Sequence, residues 1–122
     1  MSIYRAQYVW IYVEDMEKAQ SFYSEVLHLN TQPLPAPLHS RYRMYDLQPI
    51  QLVVAVATTS EERDHVGRWT GLSLTVPDIE ATVNHLAGQG VVIVNEPAKQ
   101  PWGGVQAAIE DWDGNVIGLV GG

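Results

Sequence analysis

Residues 8–19, Tyr8-Val9-Trp10-Ile11-Tyr12-Val13-Glu14-Asp15-Met16-Glu17-Lys18-Ala19, contain a strand, a turn and the opening of a helix. Val9, Ile11 and Val13 fall on one parity and Tyr8, Trp10 and Tyr12 on the other, so a strand here has an aliphatic face and an aromatic face. Asp15 stands where a helix N-cap belongs, with Glu17 and Lys18 in the first turn. Met16, Ala19, Phe22, Tyr23, Val26 and Leu27 follow at helical spacing, towards an end near His28.

The pattern returns 63 positions later, where Val76, Asp78 and Glu80 repeat Val13, Asp15 and Glu17. Val9, Ile11, Met16 and Tyr23 fall on the apolar residues Leu72, Leu74, Ile79 and Leu86. Because the matches include the strand's core face, the cap and the helix's buried face, they indicate a structural duplication. The expected division is a first module over about residues 1–60 and a second over about residues 69–122.

Between the two openings, Pro33, Pro35 and Pro37 mark a loop, since neither helix nor central strand tolerates that density. Tyr42 to Leu47 and Gln51 to Ala57 form a hairpin around Gln48-Pro49. The polar run Thr58 to Arg68 is a short helix or a linker. In the second half, a strand over Leu72 to Val76 leads to a helix with Ile79, Val83, Leu86 and Ala87 on one side, stopped by Gly88 and Gly90. Strands over Val91 to Val94, Val105 to Glu110 and Val116 to Val120 complete it, with a loop from Pro97 to Gly104 and a tight turn at Asp113-Gly114-Asn115. The fold class is therefore α+β, two strand–helix–strands units whose helices lie on one sheet face and leave the other face as a concave surface.

Composition narrows the function. The chain has 122 residues, 46% of them hydrophobic, enough to fold without a metal or a disulfide. It has no cysteine, which excludes a disulfide framework, a thiolate zinc site, an iron–sulfur cluster and a nucleophilic thiol. Only seven Lys and Arg are scattered along it, with no basic stripe to neutralise phosphates, so nucleic acid is not an expected partner. No apolar stretch approaches the ~20 residues of a membrane helix, and Met1 to Arg5 lacks signal-peptide character, so the expected location is cytoplasmic. The net charge of −7 suits a solvated surface and is compatible with a cationic ligand.

The run Val13-Glu14-Asp15-Met16-Glu17-Lys18-Ala19 leading to Phe22-Tyr23 and Val26-Leu27 resembles the opening of a vicinal oxygen chelate module. Val76-Pro77-Asp78-Ile79-Glu80 resembles the start of the second module, and Glu110-Asp111-Trp112-Asp113-Gly114-Asn115-Val116-Ile117 resembles the superfamily's DPDGN ending, with Trp112 in place of proline. That superfamily includes glyoxalase I, extradiol dioxygenases, fosfomycin-resistance enzymes and the metal-free bleomycin- and mitomycin-binding resistance proteins. The resemblance implies two βαβββ modules forming a curled mixed sheet around a cavity, helices on the outer face, commonly as a homodimer.

In the family's metal enzymes four side chains converge from the sheet. By resemblance their positions here are Tyr8, Gly71, a residue within Gln51 to Ala57, and Gly118. Glycine offers no donor, Tyr8 is a poor ligand unless ionised, and Gln51 is the only donor in its strand. No resident metal or other cofactor is expected. The expected ligand is a small organic molecule held against Tyr8, Trp10 and Tyr12, with Gly71, Ser73 and Thr75 as a wall of small residues. Trp69 and Trp102 are candidates for the rim, Trp102 in a Pro101-Trp102-Gly103-Gly104 loop whose glycines suit a lid. The competing readings are a metal-dependent lyase, isomerase or dioxygenase with displaced ligands, and aromatic rings that pack on each other or on a second chain.

The polar residues outside those positions carry no further motif. His28, His39, His65 and His85 share no ligand spacing, and the paired carboxylates, Glu110/Asp111 among them, read as solvated turns. Asp113 is expected to shape its turn, with Gly114 supplying the positive φ.

Overall fold

The computed structural model describes residues 2–121, and the chain divides into two compact units, one running up to Val66 and the other starting at Gly67. In the first unit, β1 (Tyr8–Val13) keeps the alternation of its sequence: Ile11 and Val13 are buried, while Tyr8 and Trp10 are exposed. It pairs in parallel with β4 (Gln51–Val56), and a parallel pair needs a crossover. That crossover starts with α1 (Met16–Gln20), where the Asp15 carboxylate accepts a hydrogen bond from the Glu17 N–H at 2.8 Å. The helix then widens into a π-helical coil over Ser21–Val26, closed by the Leu27 N–H to the Phe22 carbonyl at 2.9 Å. In this wider coil the adjacent Phe22 and Tyr23 are both fully buried, their rings edge to face at 5.0 Å. The turn ends at His28, which takes a left-handed φ of 56°.

The sheet is completed by β2 (Asn30–Gln32) and β3 (Tyr42–Asp46), in the order β1-β4-β3-β2. The sequence gives no sign of β2, a three-residue polar edge strand with no apolar alternation to mark it. Within the unit's core the Tyr45 hydroxyl lies 2.8 Å from Ser24 Oγ. A short α2 (Ser60–Arg63) follows β4, capped by the Thr59 hydroxyl, which accepts from the Glu62 N–H at 3.1 Å.

The second unit repeats the connectivity: β5 (Trp69–Thr75), α3 (Ile79–Gly88), β6 (Ile93–Lys99), β7 (Val105–Glu110) and β8 (Val116–Gly121), in the order β5-β8-β7-β6. β5 and β8 are parallel, as β1 and β4 are, and Asp78 caps α3 by accepting from the Ala81 N–H at 3.1 Å. Both units are thus βαβββ modules with the same strand order, and the duplication expected from the sequence is present in the fold. Ile79, Val83 and Leu86 of α3 are buried, and the helix packs against β6, β7 and β8. Gly121 permits this closeness, since a Cβ there would stand 2.8 Å from that of Ile79.

Three local expectations are corrected. Trp69 is the first residue of β5 rather than a residue preceding the strand. The segment from Pro97 belongs to a strand as far as Lys99, because β6 is an edge strand with irregular register, where a proline's missing N–H is tolerated. Asp111 is 5% exposed rather than solvated.

That buried carboxylate organises the β7–β8 turn. Its Oδ1 accepts from the Asp113 and Asn115 N–H groups at 2.8 and 2.9 Å, and its Oδ2 accepts from the Asn115 amide at 2.9 Å. Asn115, 1% exposed, in turn accepts from the Gly67 N–H at 2.8 Å through Oδ1, tying the turn to the start of its own unit. Gly114 supplies the expected positive φ, 82°.

Two predictions follow from these buried polar groups. Asp111→Ala leaves three donors without their acceptor and is expected to lower unfolding free energy by about 3 kcal/mol, measured by urea titration, with Asp111→Asn costing less. Burial pushes the Tyr45 phenol above its ordinary value of 10.0, opposed in part by the Ser24 hydrogen bond and the Arg43 charge. The stability favouring the neutral phenol is therefore complete below about pH 10 and is lost as pH rises through the raised folded value. Melting temperature should accordingly fall more steeply above pH 10 in the wild type than in Tyr45→Phe.

Candidate ligand-binding faces

The crossover helix of each module packs on its sheet, whose aliphatic parity is the buried one, so the polar and aromatic parity of its strands defines a second, candidate functional face. In the first unit, register sets Tyr8 beside Gln51, Trp10 beside Val53 and Tyr12 beside Ala55. The same rows continue to Asp46, Met44 and Tyr42 of β3. Tyr8 and Trp10 are 54% and 48% exposed. The Trp10 ring lies 6.3 Å from Tyr12, tilted by 37°, and 6.3 Å from Tyr42, edge-on at 89°. His65, beyond the end of α2, stacks on Tyr12 at 6.1 Å.

The Arg41 guanidinium sits 5.0 Å from the centre of the Tyr42 ring and 3.4 Å from the Glu62 carboxylate. Glu62 is held below the ordinary glutamate range chiefly by the Thr58 N–H, then by the Thr58 hydroxyl and the Arg41 charge. The result is a face of five rings with one organised cation at its border, suited to stacking and to cation–π contact with an organic molecule.

In the second unit the corresponding face carries Trp69, Gly71, Ser73 and Thr75 of β5. Register places Ser73 beside Gly118, Gly118 beside Ala108, and Ala108 beside Asn95. Trp69, 59% exposed, borders a hollow of about 510 Å³ that Gly118, Ala107, Ala108, Gln106, Asn95 and Glu96 also line. A Cβ on Gly118 would stand 2.6 Å from Ser73 Oγ and 3.2 Å from the Trp69 ring. The space a side chain would need at 118 is already taken by Ser73 and Trp69.

The candidate positions thus fall into separate groups. Tyr8, Trp10 and Tyr12 share the face of the first unit; Trp69 and Ser73 share that of the second. Trp102 lies in the β6–β7 hairpin loop, 69% exposed and outside the wall of the hollow. Sequence reading missed Tyr42, Asn95, Glu96 and Gln106, whose facing depends on register with the paired strand, and His65, which the turn after α2 brings to Tyr12.

The positions that the family's metal enzymes use do not fit a divalent ion here. Gly71 and Gly118 bring no donor. Gln51 has its Nε2 3.4 Å from Asp46 Oδ1 and its Oε1 buried without a hydrogen bond. Asp46 already accepts from the Gln48 N–H and side-chain amide at 3.1 and 3.2 Å. Among the described residues no three His, Asp or Glu side chains are grouped to hold a metal, and no helix is long and apolar enough to cross a membrane.

Two βαβββ modules of the same strand order define the fold class of the chain. The chain belongs to the Glyoxalase/Bleomycin resistance protein/Dioxygenase superfamily, whose family model matches residues 5–119. TnmS3, an antibiotic binding protein from Streptomyces sp. CB03234, is 31% identical over 99% of this chain and 98% of its own, with a TM-score of 0.79. A glyoxalase/bleomycin resistance protein from the same organism is 30% identical over 94% of this chain and 98% of its own, with a TM-score of 0.69. A superfamily member from Sphaerobacter thermophilus DSM 20745 is 29% identical over the whole of both chains, with a TM-score of 0.76. No curated protein sequence matches the chain.

The crowding at Gly118 is directly testable. Gly118→Ala should destabilise the protein by roughly 1–3 kcal/mol in urea unfolding, because Ser73 and Trp69 must both give way. Ser73→Ala in the same background should recover part of the loss.

Proposed function

We propose that this protein binds a small organic molecule with a planar, unsaturated part, sequestering it without a metal ion and without transforming it. One observation carries the reading: Tyr8, Trp10, Tyr12 and Tyr42 share the sheet face opposite the buried aliphatic one, with Tyr8 and Trp10 half exposed; by resemblance, Tyr8 stands where the family's metal enzymes have a ligand. Rings that are half exposed offer stacking surface to a guest, and each stacked contact contributes ~0.5–1.5 kcal/mol beyond burial. The likeness to TnmS3, an antibiotic binding protein, supports a binding role over a catalytic one. Trp69 and Ser73 belong to the proposal as the second unit's contribution, Trp102 as a rim residue, and a homodimer as the working assembly.

The test is titration of the purified protein with mitomycin and with bleomycin, followed by tryptophan quenching and equilibrium dialysis. Saturable binding of at least one is expected, unchanged by a chelator, and weakened about tenfold by Trp10→Leu. Absence of binding to both would overturn the reading. So would a stoichiometric divalent ion whose removal abolishes binding, or turnover of the bound compound, either of which would favour a metal-dependent lyase, isomerase or dioxygenase.

A further inference from the structure

The hollow of the second unit differs in chemistry from the aromatic face of the first. Its floor has small residues, Ala108 beside Gly118, with Asn95 next in the row. Trp69 stands at one side with its ring beside Gly118. The remaining wall carries Asn95, Glu96, Gln100 and Gln106, with Val94, Ala98 and Ala107 among them. The Gln100 amide donates to the Ala98 carbonyl at 3.2 Å. Among the described residues, Asn95, Glu96 and Gln106 make no side-chain hydrogen bond and no ion pair. Glu96 is the only ionisable residue in the wall.

An apolar occupant would cover those three polar groups without pairing them, at a cost of about 1–3 kcal/mol for each one fully desolvated. An anionic occupant would meet Glu96 and a net charge of −7. A fitting occupant has an apolar ring face for Trp69, adjacent donors and acceptors for the two amides, and a positive charge for Glu96. A saturated ring bearing hydroxyls and a protonated amine meets all three requirements. We propose that the Trp69 hollow is a subsite for an amino sugar, either free or carried as a substituent of a larger ligand. This rests on the reading of the protein as a small-molecule binder and names the chemical class that its second unit selects.

The experiment compares D-glucosamine with D-glucose, which differ only in ammonium against hydroxyl, by saturation-transfer NMR and calorimetry at millimolar concentration on the full chain. Glucosamine is expected to bind about two- to fivefold more tightly, the range of an exposed ion pair. Glu96→Gln should bring the ratio to about one. Gln106→Ala and Trp69→Ala should weaken both sugars and leave the ratio in place. Equal binding of the two sugars, or a preference that survives Glu96→Gln, overturns the proposal. If neither sugar binds while mitomycin or bleomycin still quenches tryptophan fluorescence, the subsite is wrong and the binding role stands. If none of these compounds binds, both fall together.

Discussion

Each module has four strands and a single crossover helix, which packs on its sheet. This constraint follows from the parallel pairing of β1 with β4 and of β5 with β8, which requires a crossover and places it on one side. The covered side takes the aliphatic parity: Ile11, Val13, Leu52 and Val54 in the first unit, Leu72, Ile117 and Leu119 in the second. The other parity is then free of the demand for aliphatic packing and can vary. In the first unit it holds rings, and in the second it holds small residues ringed by amides.

The two modules keep the same architecture while their bare faces diverge, because the residues that maintain the fold are separate from those that face a ligand. Asp15 and Asp78 cap the crossover helices, and Asp111 with Asn115 closes the last turn of the second unit. None of these side chains belongs to the bare faces. The positions that the resemblance assigns to the superfamily's metal ligands, by contrast, are Tyr8, Gly71, a residue within Gln51 to Ala57, and Gly118. At Gly118 the change goes beyond loss of a donor, since Trp69 and Ser73 occupy the room that a ligating side chain would need.

Much of the fold was legible in the sequence because its signals are local. Alternation in β1 showed which side of the strand is buried, the aspartates at 15 and 78 marked the helix starts, and their common spacing from the strands revealed the duplication. The failures are equally physical. β2 is too short and polar to show a period, β6 runs through Pro97 because an edge strand needs no N–H on its open side, and Asp111 looked like surface because its three donors, on Asp113 and Asn115, lie in a turn that forms only when the strands meet.

The sequence by itself determined the module, its repetition and the residue types available on the bare parity of β1 and β5, since period-two alternation and helix capping involve residues a few positions apart. Tertiary structure alone decided which other residues join them. Tyr42 and His65 reach the aromatic face, and Asn95, Glu96 and Gln106 ring the Trp69 hollow, through contacts between segments that are not neighbours in the chain. A one-residue change of register would turn each of those strand side chains to the opposite face. The hydrogen bonds that fix register are made between backbone groups, which every sequence carries alike, so the composition of the candidate site emerges only once the strands are paired.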